Sequence, residues 1–205
     1  MEASHLVYVV SHGEATNRQV HVGKSFDNPL SDRGCSQAQG LAAQLTSHGI
    51  VAVYSSPQLC AIQTASEIAK ANRSGLLLRQ GLSAINYGDW SEQNWRAISA
   101  SDRARYAEYC RCPATFCFPA GESLADAQRR AFAVLGQLSK QHNGKSSIAI
   151  VVNKQISQAL IAKCSNIPLT RLFELEQQDG CLNVLKKTED GWQVRAINIL
   201  TVDVW

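Results

Sequence analysis

One stretch limits what this chain can become: Leu6-Val7-Tyr8-Val9-Val10-Ser11-His12-Gly13-Glu14. An unbroken apolar run of strand length, ending in polar residues and a Gly, reads as a buried parallel strand, because helices cover both faces of such a strand. In an open α/β sheet, ligands gather at the carboxyl ends of the strands. His12 therefore leaves the sheet where chemistry is expected. An imidazole there serves as a nucleophile, an acid or base, or a metal ligand. The plain alternative is a ring hydrogen-bonded to nearby backbone.

The rest of the chain alternates in the same way. Ser147 to Val152 is a second strongly apolar strand and runs straight into Asn153, while Ile50–Tyr54 and Leu76–Leu78 are shorter ones. Ser31 is an N-cap candidate for a helix with Ala38, Leu41, Ala42 and Leu45 on its apolar stripe, ended by Gly49. Further helices are expected at Leu59–Ala71, Ser91–Tyr109, Glu122–Gln141 and Ile156–Cys164, with connectors at Ala84–Trp90 and Cys110–Gly121. Two last strands, Cys181–Leu185 and Trp192–Leu200, are joined by a hairpin signal at Glu189-Asp190-Gly191. The pattern predicts an α/β chain, a three-layer α/β/α sandwich with a mostly parallel central sheet. With no repeat or linker, residues 1–205 read as one domain.

Composition excludes several classes of function. A net charge of +3 is too small to argue for nucleic acid or an anionic membrane surface. Trp90, Trp95 and Trp192 are too dispersed to form a base-stacking platform. Nothing reads as a signal peptide or a bilayer-length run, so a cytoplasmic protein is expected. The seven cysteines are odd in number and scattered, which argues against a disulfide framework. Cys110 and Cys112, with Cys117 after them, lack the second half of a zinc site. No metal and no cofactor are expected.

Several segments, taken in order, resemble the framework of the histidine phosphatase superfamily, the phosphoglycerate mutase-like group. They are His12-Gly13-Glu14; Pro29-Leu30-Ser31 with Gly34 and Gln37-Ala38; Ser55-Ser56-Pro57 followed by Gln63-Thr64-Ala65; Tyr87-Gly88-Asp89-Trp90; and Gly121-Glu122-Ser123. The resemblance implies the phosphoglycerate mutase-like fold and two-step phosphoryl transfer. A His attacks phosphorus and becomes phosphohistidine, two Arg and a second His hold the phosphoryl oxygens, and a carboxylate protonates the leaving oxygen. It also implies where this chain departs from the pattern. Ser11 stands where the family has the first Arg, Cys60 where it has the second, Ala84 where the acid precedes the Tyr-Gly-Asp-Trp segment, and Asn153 where the second His follows the late strand.

A phosphomonoester near neutral pH carries about two negative charges, and removing one preorganised donor from such a site costs about 10²–10³ in rate. The expectation is a degenerate member without efficient phosphatase or mutase activity, which binds a small polar or anionic molecule or a protein partner. Its ligand-binding candidates are Ser11, Arg18, Lys24, Ala84, Glu122, Ser123 and Lys154. Two alternatives stay open. One is an enzyme repurposed to a non-phosphoryl reaction, with His12 as acid or base, Cys60 as nucleophile and Asn153 as orienting amide. The other is a phosphomonoesterase working through phospho-His12, with Arg18, Lys24 and Lys154 as replacement cations. The plain reading of those three is a solvated rim, and of Glu122-Ser123 a helix start with Glu near the positive dipole end.

Overall fold

A computed structural model describes residues 6–16, 28–142 and 146–200. Arg18 and Lys24 lie outside the described residues. The sheet is built around β1 (Leu6–Ser11) and β4 (Ser147–Val152), each buried at every residue but its first. They pair in parallel from Val7 with Ile148 to Ser11 with Val152. That register brings His12 and Asn153 out of the sheet side by side, each as the next residue of its strand.

Among the described residues six strands form one sheet in the order β3-β2-β4-β1-β5-β6. The short strands β2 (Ile50–Ser55) and β3 (Gly75–Leu78) continue the parallel half. β5 (Cys181–Thr188) and β6 (Gly191–Leu200) complete it as antiparallel strands, joined at the expected hairpin. The sheet is thus mostly parallel, as the alternation predicts.

Successive side chains of a strand point to opposite faces, and β1 supplies two cores. Val7 and Val9 meet Leu135 and Leu138 of α5 (Leu124–Gln141) and Ile156 and Leu160 of α6 (Lys154–Cys164). Tyr8 and Val10 meet Leu41 and Leu45 of α1 (Asp32–Leu45) and Ala61 and Ile68 of α2 (Leu59–Asn72). Each fully buried Leu or Ile contributes about 1.5–3 kcal/mol of hydrophobic stabilisation. The result is the three-layer α/β/α arrangement.

The polar stretch after Ser91 is not one helix. It splits into α3 (Trp95–Ser101) and α4 (Arg103–Arg111) at Asp102, whose backbone leaves the helical region at φ −131, ψ 55. The Asp102 carboxylate accepts the Trp90 indole N–H at 3.3 Å. Around Trp90, the rings of Trp95, Tyr106, Tyr109, Phe116 and Phe118 form one cluster, with Trp95 stacked on Tyr109 at 5.1 Å. Ring packing sets the shape of this segment, and helical periodicity does not report it. The segment 80–86 is fastened to α5 by Arg130, which donates to the carbonyls of Gly81 (2.9 Å) and Ala84 (3.0 Å) and pairs with Glu122 (2.7 Å).

Among the described residues no helix is long and apolar enough to cross a membrane, and no cluster of three or more metal-ligating side chains occurs. The seven cysteines are free thiols.

α5 begins one residue past a reciprocal cap. The Ser123 side chain accepts from the Asp126 N–H, and the Asp126 carboxylate accepts from the Ser123 N–H and hydroxyl. The Ser123 hydroxyl, followed by Arg129, holds the Asp126 carboxyl down at about 2, against an ordinary 3.8. A depressed folded-state pKa means the cap contributes fully above the unfolded value and loses its contribution as pH falls towards 2. Acid titration of unfolding should therefore show a steeper loss of stability between about pH 4 and pH 2 in the native chain than in Asp126→Asn.

Candidate functional site

The backbone of residues 12–14 is fixed atom by atom. The His12 N–H donates to the Val152 carbonyl and the His12 carbonyl accepts from Gly180 N–H, both at 3.0 Å. Gly13 N–H donates to the Thr64 hydroxyl (3.1 Å), which in turn donates to the Cys60 carbonyl (2.9 Å). Glu14 N–H donates to the Gln37 side chain (2.8 Å), whose other end donates to the Asp179 carbonyl (3.1 Å). Ser31 N–H closes the loop on the Glu14 carbonyl at 2.8 Å, and its hydroxyl donates to the Glu14 carboxylate at 2.9 Å. Buried backbone groups left unpaired would each cost about 1–3 kcal/mol. The residues that sequence reading assigned only to a framework, Ser31, Gln37, Gln63 and Thr64, are therefore the supports of the His12 loop and its neighbour Leu30.

Two glycines let this loop lie against the start of α1. A Cβ on Gly34 would lie 2.0 Å from the Glu14 carbonyl oxygen, and one on Gly13 would lie 2.5 Å from that of Gly34. Neither contact is physically allowed, so both positions require glycine.

The His12 Nδ1 lies 2.8 Å from the Gly13 carbonyl oxygen. A carbonyl only accepts, so Nδ1 carries the proton and, in the neutral ring, the lone pair resides on Nε2. Beside the ring is a cleft of about 450 Å³ lined by His12, Asn153, Lys154, Gln155, Gln158 and Phe173. Asn153 is the N-cap of α6, its Oδ1 accepting from Ile156 N–H at 2.9 Å. Gln155 Oε1 accepts the Tyr87 hydroxyl at 2.8 Å. Burial pushes that phenol far above its ordinary pKa, so it stays a donor. Gln158 donates to the Leu175 carbonyl at 2.7 Å. Phe173, on a 3₁₀ turn at Leu169–Glu174, is 55% exposed.

The predicted site residues separate into two groups. His12, Asn153 and Lys154 share the cleft. Ser11, Cys60 and Ala84 are buried and are not among the described residues lining it. Cys60 packs with Leu30, Ala38 and Ala15 in an apolar cluster. A cysteine in the first turn of α2 is too short to extend where a guanidinium would. Ala84 presents its carbonyl to Arg130. Glu122 and Ser123, two further ligand candidates, hold partners within the fold. The Glu122 carboxylate is occupied by Arg130 and the Asn86 N–H, and the Ser123 hydroxyl by the α5 cap. Gln155, Gln158 and Phe173 were missed. The two Gln side chains lie on α6 just past the Asn153 cap, a signal that sequence contained. Nothing in the sequence marked Phe173.

With the fold and cleft in hand, comparison with known proteins is decisive on ancestry. A model of the histidine phosphatase superfamily (branch 1) matches residues 7–200. The chain belongs to the histidine phosphatase superfamily. Phosphoserine phosphatase 1 of Hydrogenobacter thermophilus is 24% identical over 174 residues, 85% of this chain and 82% of that protein. Among solved structures, the alpha-ribazole phosphatase from Shigella flexneri superposes with a TM-score of 0.83 at 21% identity, covering 98% of this chain and 99% of that one. YhfR of Bacillus stearothermophilus gives 0.84 at 21% identity over 94% and 96%.

Thr64 holds Gly13, the residue whose carbonyl orients Nδ1, by accepting its N–H, while Gln37 holds the N–H of the following peptide. Thr64→Val leaves the Gly13 N–H unpaired and should destabilise the chain by about 1–3 kcal/mol in urea unfolding. The ¹⁵N spectrum of His12 should then lose its single Nδ1–H tautomer, and Thr64→Ser should restore both properties.

Proposed function

We propose that this histidine phosphatase family member binds a small polar or anionic molecule beside His12 and does not turn over phosphomonoesters efficiently. One observation carries the reading. Among the described residues, the cleft wall holds a single obligate cation, Lys154, next to His12 and three side-chain amides. A transferring phosphoryl group needs several pre-aimed cations in a dry site. Ser11, Cys60 and Ala84 support the reading by their length: residues this short at the positions the family fills with Arg, Arg and an acid stay beneath the wall instead of crossing it.

A second reading, slow hydrolysis through phospho-His12, has its own observation. The Nδ1 bond to Gly13 leaves Nε2 as the basic nitrogen, which is the state an attacking imidazole needs. The phosphatase names of relatives at 24% identity and below belong to those proteins and lend it background support.

A panel of phosphomonoesters, assayed with the native chain and His12→Ala, separates the two. The expected result is kcat/KM at least about 10⁴ below that of a working phosphatase, since several donors act together, and indistinguishable between the two proteins. Turnover well above background that disappears in His12→Ala, together with an acid-labile phosphohistidine, would overturn the binding reading in favour of the second.

A further inference from the structure

The hydrogen bonds that the cleft amides make to the fold dictate which end of each is offered to a ligand. Asn153 Oδ1 is taken by the Ile156 N–H. A backbone N–H only donates, so this amide is oriented, and its NH₂ faces away from the cap. Gln155 Oε1 is likewise taken by the Tyr87 hydroxyl. No described residue accepts from either NH₂ group. With the ammonium of Lys154 between them in sequence, residues 153–155 present two neutral donors and one positive charge.

That inventory matches a single negative charge with acceptor oxygens. A dianion would leave half of its charge uncompensated, which is unfavourable once water is displaced. The cleft wall also carries one large apolar side chain, Phe173, which stands 55% exposed. A large exposed ring beside convergent polar groups is the composition of a site whose occupant has an apolar body and a polar end.

We propose that the His12 cleft takes an organic monocarboxylate bearing an apolar ring, its carboxylate on the donors of Asn153, Lys154 and Gln155 and its ring across Phe173. The assignment rests on the binding reading above and names the chemical class of the ligand.

Calorimetric titration of the full chain with phenylacetate, acetate, phenyl phosphate and inorganic phosphate tests it, with phosphate release followed in the same samples. Phenylacetate should bind at about the millimolar level or tighter, as its size allows. It should bind at least about ten-fold tighter than acetate and than phenyl phosphate, a preference of the size one or two lost contacts produce. Asn153→Asp keeps an acceptor for the α6 cap but sets a carboxylate where the NH₂ was. It should abolish phenylacetate binding with the melting temperature unchanged. Lys154→Met, at an exposed position, should weaken both carboxylates. Phe173→Ala should reduce phenylacetate to the affinity of acetate and leave acetate unaltered. The assignment is overturned by phenylacetate affinity that survives Asn153→Asp or Phe173→Ala, by phenyl phosphate binding as tightly as phenylacetate, or by no phenylacetate binding in the tens of millimolar. Without phosphate release, each of those outcomes leaves the broader binding reading standing. Phosphate release that His12→Ala abolishes would overturn that reading and this assignment together.

Discussion

The parallel pairing of β1 with β4 is the constraint on which the rest depends. Because Ser11 lies opposite Val152, the two central strands deliver His12 and Asn153 to the same point at the same height. A slip of one residue would send every side chain of β1 to the opposite face. It would exchange the two cores and carry His12 away from the cleft. The burial of both strands on both faces prevents that slip, so the geometry of the site follows from hydrophobic packing far below it.

The loop after β1 extends this logic to polar groups. Backbone atoms of His12, Gly13 and Glu14 are satisfied by Val152, Gly180, Thr64, Gln37 and Ser31, which come from four separate parts of the chain. None of these bonds involves a charged group of the kind that holds a phosphoryl oxygen. The scaffold that orients the imidazole is therefore energetically separate from the groups that would bind phosphate.

Several polar side chains near the cleft face inward. Arg130 and Glu122 hold the segment 80–86 on α5, and Ser123 with Asp126 starts that helix. Beneath β1 a second polar group, Asn183, Gln177 and Ser157, forms mutual hydrogen bonds at 2.8–3.1 Å and reaches the Val9 carbonyl. Buried amides of this kind are tolerable only when fully paired, and these are. They tie β5 and α6 to β1, and they hold the back wall of the cleft in one arrangement.

The sequence by itself determined the layers and the strand ends. Continuous apolar runs at Leu6–Val10 and Ser147–Val152 have only one comfortable home, a sheet covered on both sides, and His12 follows as the first polar residue past it. Ser31 announced its cap because its chemistry is local. Tertiary structure alone decided which polar side chains line the cleft. Cys60, Ala84 and Glu122 were pocket candidates by their place in the chain; in the fold Cys60 lies in an apolar cluster, and the Ala84 carbonyl and Glu122 carboxylate both meet Arg130. Phe173 entered the cleft, and Asp102 broke a helix, through packing that no periodicity records. Local patterns report which face of an element is buried, but whether a donor is occupied depends on residues that only folding brings near.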